Sequence, residues 1–195
     1  MKNYIIKQIA DSAATKQAIL ENDELVERLV SVAQACVDVY KNGKKILIAG
    51  NGGSAADAQH FAAELVGRYG FDRPSLPSIA LTTDSSNLTA IGNDYGYEYV
   101  FSRQLEGLAQ EGDLFIGIST SGNSQNVINA FESAKQRGVT TVALVGRDGG
   151  KMAAMADFAI VIPSNATPRI QESHLLIEHM ICDIIEKEMF GGGVA

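Results

Sequence analysis

The chain has 195 residues, 46% hydrophobic and 20% charged, which suits one soluble domain with a full hydrophobic core. Lys and Arg number 16 against 23 Asp and Glu, a formal charge of −7. With no Lys/Arg run, that balance argues against a nucleic-acid surface and leaves room only for a local pocket that takes an anion. The two cysteines, Cys36 and Cys182, both fall in apolar helical patterns and read as buried reduced thiols, not as a disulfide or thiol metal site. The N-terminal stretch lacks an apolar run long enough for a signal peptide, and no run approaches a membrane span, so a cytoplasmic protein is expected.

Apolar residues recur at three- and four-residue spacing over 3–20 and 23–41, most clearly at Leu25, Leu29, Val32, Ala33, Cys36, Val37 and Tyr40. This predicts two helices with a break near Asn22-Asp23. "KKILIAG" (44–50) opens a series of short apolar runs, continued at 77–83, 113–120, 140–146 and 157–163. They are continuous rather than alternating, as strands covered on both faces require. Helical patterns separate them at 54–68, 84–109 (with a break at Gly92-Asn93), 124–137 and 149–155, and a last helix spans about 168–189.

Strands alternating with helices imply right-handed crossovers and a parallel sheet. The expected architecture is therefore a single three-layer α/β/α domain with a five-stranded parallel sheet over about 44–190, preceded by two helices over about 3–41. Such sheets bind ligands at the carboxyl ends of their strands. The tail "GGGVA" is expected to fray.

"STSGNS" (Ser119 to Ser124) follows the third strand and leads into a helix. Hydroxyls and free backbone N–H groups at a helix start suit an anion, and Ser119, Thr120, Ser121 and Ser124 supply more hydroxyls than one N-cap needs. "GNGGS" (Gly50 to Ser54) is neither the phosphate-loop pattern nor the dinucleotide fingerprint. A tight turn with Ser54 as N-cap explains much of it, and its glycines also permit close approach of a ligand.

His60 and Glu64 are one helical turn apart and fit a metal site, a base beside an acid, or a solvated pair; small and apolar neighbours weaken the last reading. On the final helix His174 and Glu178 read as a solvated-face pair. His179, nearer the apolar side, is a satisfied core residue or a functional one. Gln171 lies roughly 80° and ~12 Å from His179, so the two share a site only if it spans about two turns. "IGNDYGYE" (91–98) puts Asn93 and Asp94 at a polar break between helical segments.

Taken together and in order, "GNGGSAADAQHFAAEL.GRY", "GNDYGYE", "GISTSGNS", "GRDGGKM" and "RIQESH…EHM" closely resemble the sedoheptulose 7-phosphate (phosphoheptose) isomerases of the sugar-isomerase (SIS) superfamily, over nearly the whole chain. The resemblance implies a flavodoxin-like SIS fold. It also implies conversion of D-sedoheptulose 7-phosphate to D-glycero-D-manno-heptose 7-phosphate, which starts ADP- or GDP-heptose supply for lipopolysaccharide and surface polysaccharide.

Carried onto this sequence, the sugar phosphate meets Asn51, Gly52 and Gly53, then Asn93 and Asp94, with its phosphate on Ser119, Thr120, Ser121 and Ser124. Family members described with zinc use residues matching His60, Glu64, Gln171 and His179, and the family's arginine after the first core helix matches Arg68. Glu64 and Gln171 then also touch substrate, and a homotetramer with interface active sites is implied. Some relatives have an Asp before the "RIQE" motif, where this chain has Pro168, so that Asp's role has no counterpart here.

A ketose–aldose shift through an enediol needs a base near two carbons and help for charge on oxygen, which makes Glu64 the expected base and His179 the relay of oxygen protons. Zinc ligation lowers a carboxylate's basicity, so the two roles of Glu64 must alternate or be shared, and Gln is an uncommon zinc ligand. Two other readings stand beside this one. A non-catalytic relative family, the DnaA initiator-associating proteins, shares the fold but lacks the equivalents of Glu64 and His179. An isomerase of another sugar phosphate would need the same loop and pair.

Overall fold

The structure, a computed structural model, describes residues 1–191. Helices α1 (Lys2–Leu20) and α2 (Asp23–Lys41) break at Asn22, whose side chain accepts from the Leu25 amide at 3.0 Å and so caps α2. The remainder alternates as expected: β1 (Ile46–Gly50), α3 (Gly53–Val66), β2 (Ser78–Ala80), α4 (Ser85–Asp94), a 3-10 turn (Tyr97–Tyr99), α5 (Ser102–Leu108), β3 (Leu114–Ser119), α6 (Gln125–Gln136), β4 (Thr140–Gly146), α7 (Gly150–Met155), β5 (Phe158–Ile162) and α8 (Thr167–Glu186). A π turn (Lys187–Gly191) follows α8, and the rest of the glycine tail lies outside the described residues.

The five strands are all parallel in the order β2-β1-β3-β4-β5. Alternate strand residues feed two cores. Ile46, Ile48, Leu114, Ile116, Val142 and Leu144 pack with α1, α2, α3 and α8 on one face, while Leu47, Phe115, Ala143 and Val145 pack with α5, α6 and α7 on the other. Burial on both faces is why these strands read as continuous apolar runs. The chain leaves β1 for β2 on one side and returns to β3 on the other, so the order reverses between β1 and β3. Gly50 pairs with Ile118, and these strands therefore end side by side, bringing "GNGGS" and "STSGNS" together at the switch point.

Four local expectations are corrected. Helix α4 runs through Gly92-Asn93, and the chain breaks at Gly96, where φ is +105°. An interior glycine is tolerated in a helix, whereas a left-handed break needs one. Asn93 and Asp94 thus close a helix and do not sit between two. Gly52, not Ser54, holds the N-cap position of α3, and Ser54 is buried in the first turn. Ser124 does occupy the N-cap position of α6, but its hydroxyl makes no cap hydrogen bond. Finally, His174 and Glu178 are fully buried. Helix α8 packs against α1, α2, α3 and β4, which leaves Leu176 and Met180 on its exposed strip. A helical wheel gives the angles between residues but not which side meets the sheet.

Candidate active site

Helices α3 and α8 both start at the carboxyl edge of the sheet and run side by side. Near their starts the Gln171 amide lies so close to Gly53 that a Cβ there would collide with it. Two turns further along, roughly 10 Å by helical rise, the Nε2 atoms of His60 and His179 stand 2.9 Å apart. Glu64 Oε1 is 3.5 Å from His60 Nε2, and the ring of Tyr69 lies against His179 with centroids 5.6 Å apart. One ligand atom from each of His60, Glu64 and His179 falls within 4.8 Å of the others, a donor set of two imidazoles and a carboxylate that fits a divalent metal ion. The cluster is open to solvent, with the side chains of His60 and Glu64 43% and 24% exposed. Three of the four expected metal ligands thus gather within one chain, while Gln171 reaches the start of α3.

A buried polar layer lies behind this surface. The carboxyl of Glu178 has no hydrogen-bond partner among the described residues, and burial together with the nearby Asp57 carboxylate pushes it up to about 8, which favours its uncharged form. Asp57 is likewise raised by burial, a shift that His60 opposes. His174 donates from Nε2 to the Val145 carbonyl at 3.1 Å, and burial lowers it to about 4.

The turn after α3 is clamped from α8. Glu186 accepts from the Tyr69 and Gly70 amides at 2.6 and 2.7 Å and pairs with Arg73 at 2.9 Å. Arg73 in turn donates to the carbonyls of Glu64 and Leu65 at the end of α3, where the Leu65 carbonyl also accepts from the Leu76 amide. Burial works to raise Glu186, but the two amides and the guanidinium outweigh it and leave the carboxyl below its ordinary value.

At the switch point the Ser119 hydroxyl bonds that of Ser124 at 2.9 Å and lies 3.5 Å from that of Ser121. Gly122, at φ +64°, turns the loop where a Cβ would strike the Gly149 carbonyl. The "GRDGGKM" segment therefore buttresses the serine loop from the next strand, and the Lys151 amide donates to Asn123 Oδ1 at 3.1 Å. Thr120 is half-buried at the loop's mouth. Asn51, one residue beyond β1, hydrogen-bonds Asn126 on α6. Arg68, Asn93 and Asp94 are exposed, and Asn93 donates to Asp94 at 2.8 Å. No hydrogen bond or ion pair among the described residues ties these three to the histidine cluster.

Sequence reasoning missed Tyr69, Asn126 and the Arg73–Glu186 clamp. Tyr69 stood inside the quoted "GRY", and Asn126 follows the serine loop by two residues. The clamp has no local signal, because its members are 113 residues apart.

Fold and site together define a doubly wound α/β protein with a hydroxyl-rich loop at the switch point and a His–Glu–His cluster on adjoining helices. A SIS domain profile matches residues 9–146. The phosphoheptose isomerase of Sulfurimonas denitrificans is 70% identical over 194 residues, covering 100% of both chains. That of Aneurinibacillus thermoaerophilus is 58% identical over 97% of this chain and 96% of its own. The structure of phosphoheptose isomerase from Neisseria gonorrhoeae superposes with a TM-score of 0.90 at 48% identity, covering 95% of this chain and 98% of that one. The chain belongs to the SIS-domain family and, within it, to the phosphoheptose isomerases, a group of aldose–ketose isomerases.

Proposed function

We propose that the protein converts D-sedoheptulose 7-phosphate into D-glycero-D-manno-heptose 7-phosphate, an early step in heptose supply for surface polysaccharide. The observation that carries this reading is the joint presence of the serine loop and the His60–Glu64–His179 cluster, joined by the parallel seam of α3 and α8. Ser119, Thr120, Ser121 and Ser124 hold the phosphate. The sugar extends past Asn51, Gly52, Gly53 and Gln171 toward the cluster.

Glu64 takes the proton from C1 and returns it to C2, the enediol standing between. His179, braced by Tyr69, moves protons between the oxygens on those carbons. His60, Glu64 and His179 would hold zinc, which polarises the sugar's carbonyl and hydroxyl oxygens when bound. Glu64 serves as base when its carboxylate is free of that role. Arg68, Asn93 and Asp94 bind the sugar across a subunit boundary, a reading their exposure supports.

A homotetramer is supported by α1, where Tyr4, Ile5, Ile6 and Ile9 are exposed apolar side chains of the kind a second copy covers. No helix of the described residues is long and apolar enough to cross a membrane, and a cytoplasmic enzyme fits its phosphorylated substrate. The retained Glu64 and His179 favour catalysis over the non-catalytic initiator-binding reading.

The test is a coupled assay offering sedoheptulose 7-phosphate beside pentose and hexose phosphates, with zinc added. Turnover of the heptulose phosphate above the others is expected. Turnover confined to a shorter sugar overturns the substrate, and none at all overturns the reading.

A further inference from the structure

Asn51 and Asn126 face each other across the mouth of the β1–β3 switch point. Asn51 Nδ2 donates to Asn126 Oδ1 and Asn126 Nδ2 donates to Asn51 Oδ1, each at 2.8 Å. Asn126, in the first turn of α6, is only 4% exposed. The hydroxyl of Tyr97 donates to the same Asn51 oxygen at 3.3 Å. The 3-10 turn carrying Tyr97 is tied to α6 by Asn129, which donates to the Glu98 carbonyl at 2.9 Å.

A primary amide has two N–H donors and two acceptor positions on its oxygen. Asn126 and Tyr97 occupy both acceptor positions of Asn51, and Asn126 takes one of its two hydrogens. One N–H remains, on a residue that follows Gly50, the strand partner of Ile118 at the entry to the serine loop. That N–H is satisfied by any acceptor oxygen and most strongly by an ionised one, such as an oxygen of a phosphate ester.

We propose that Asn126 is a positioning residue that locks the Asn51 amide as a fixed donor to the substrate's phosphate, so that the phosphate is held from two adjacent strands. This rests on the reading that the serine loop binds phosphate. Asn126 itself is covered by Asn51 and acts through it.

The experiment measures inhibition by inorganic phosphate, together with KM and kcat for sedoheptulose 7-phosphate, in Asn126→Ala, Asn126→Asp and Ser121→Ala. For Asn126→Ala the phosphate inhibition constant and KM rise together by roughly tenfold, as for a lost hydrogen bond to a charged group, while kcat falls far less. In Asn126→Asp the ionised carboxyl cannot donate to Asn51, whereas its protonated form can. Phosphate affinity relative to wild type at the same pH therefore recovers as pH falls, which loss of structure alone would not produce.

Wild-type phosphate inhibition in Asn126→Ala, or a fall in kcat with KM unchanged, overturns the proposal. Should Asn126→Ala not fold, the aspartate variant decides: a pH-independent ratio to wild type overturns it. If Ser121→Ala also binds phosphate normally, the phosphate placement itself fails. If Ser121→Ala weakens binding and Asn126→Ala does not, only the role of Asn126 fails.

Discussion

His60 and His179 bring their Nε2 atoms to 2.9 Å although 119 residues separate them in the chain. Two bare nitrogen lone pairs at that distance repel, so one ring must carry a proton there or an ion must attract both. Both conditions suit a site that handles protons on sugar oxygens. Tyr69 keeps the His179 ring from swinging away, and Glu64 closes the third side.

Glu64→Gln keeps shape and hydrogen bonding but cannot take a proton. We expect kcat to fall by roughly 10²–10⁴-fold, the range of general-base catalysis, with inorganic phosphate inhibiting as in wild type. The coupled assay reads the first and inhibition kinetics the second. Near-normal turnover would remove Glu64 from the role of base.

Metal dependence follows from the same cluster. Chelation is expected to lower turnover, and zinc to restore it. His60→Ala should release bound metal, read by elemental analysis of the purified protein, because it leaves only one imidazole and one carboxylate. Full metal content in His60→Ala would move the ion to other ligands.

Arg73 and Glu186 form a pair whose side chains are each about 1% exposed. Arg73→Ala leaves the buried carboxylate without its counter-charge, held only by backbone amides, and removes the donor to the Glu64 carbonyl at the end of α3, which should destabilise the fold by about 3–5 kcal/mol. Thermal or urea melting measures this. The same loss frees the turn at Tyr69, so kcat should fall at temperatures where the variant is still folded. Unchanged stability would mean that water replaces the clamp.

Two buried groups set opposite pH slopes. His174 is held down at about 4, below its ordinary 6.5, so its contribution is full above 6.5 and is lost as pH falls toward 4, by up to about 3 kcal/mol. Glu178 is raised to about 8, so its contribution is full below 4.5 and is lost as pH rises toward 8. Glu178→Gln should therefore flatten the decline between pH 4.5 and 8, and His174→Gln the decline below 6.5. Melting temperatures recorded across pH separate the two. A wild-type profile in either variant refutes that group's assignment.

Local pattern and charge were enough to specify the strands and most helices within a few residues, the parallel sheet and the two loops at its switch point, but not the break between α4 and α5, which falls at Gly96 and the 3-10 turn and not at Gly92-Asn93. Strands covered on both faces are continuously apolar, helices repeat at 3.6, and glycine marks the turns. Motif order was enough to indicate the isomerase family. Pairing across the chain depended on the tertiary structure. A wheel drawn on α8 assigned His174 and Glu178 to water, and packing buried both, while His179 stays half-buried beside His60. That orientation depends on which neighbours cover the helix, information spread over α1, α2, α3 and β4. The meeting of His60 with His179, the clamp of Arg73 by Glu186 and the amide pair of Asn51 with Asn126 likewise join residues far apart in sequence. No local periodicity encodes such a contact, because the sheet's strand order alone decides which loops and helix faces become neighbours.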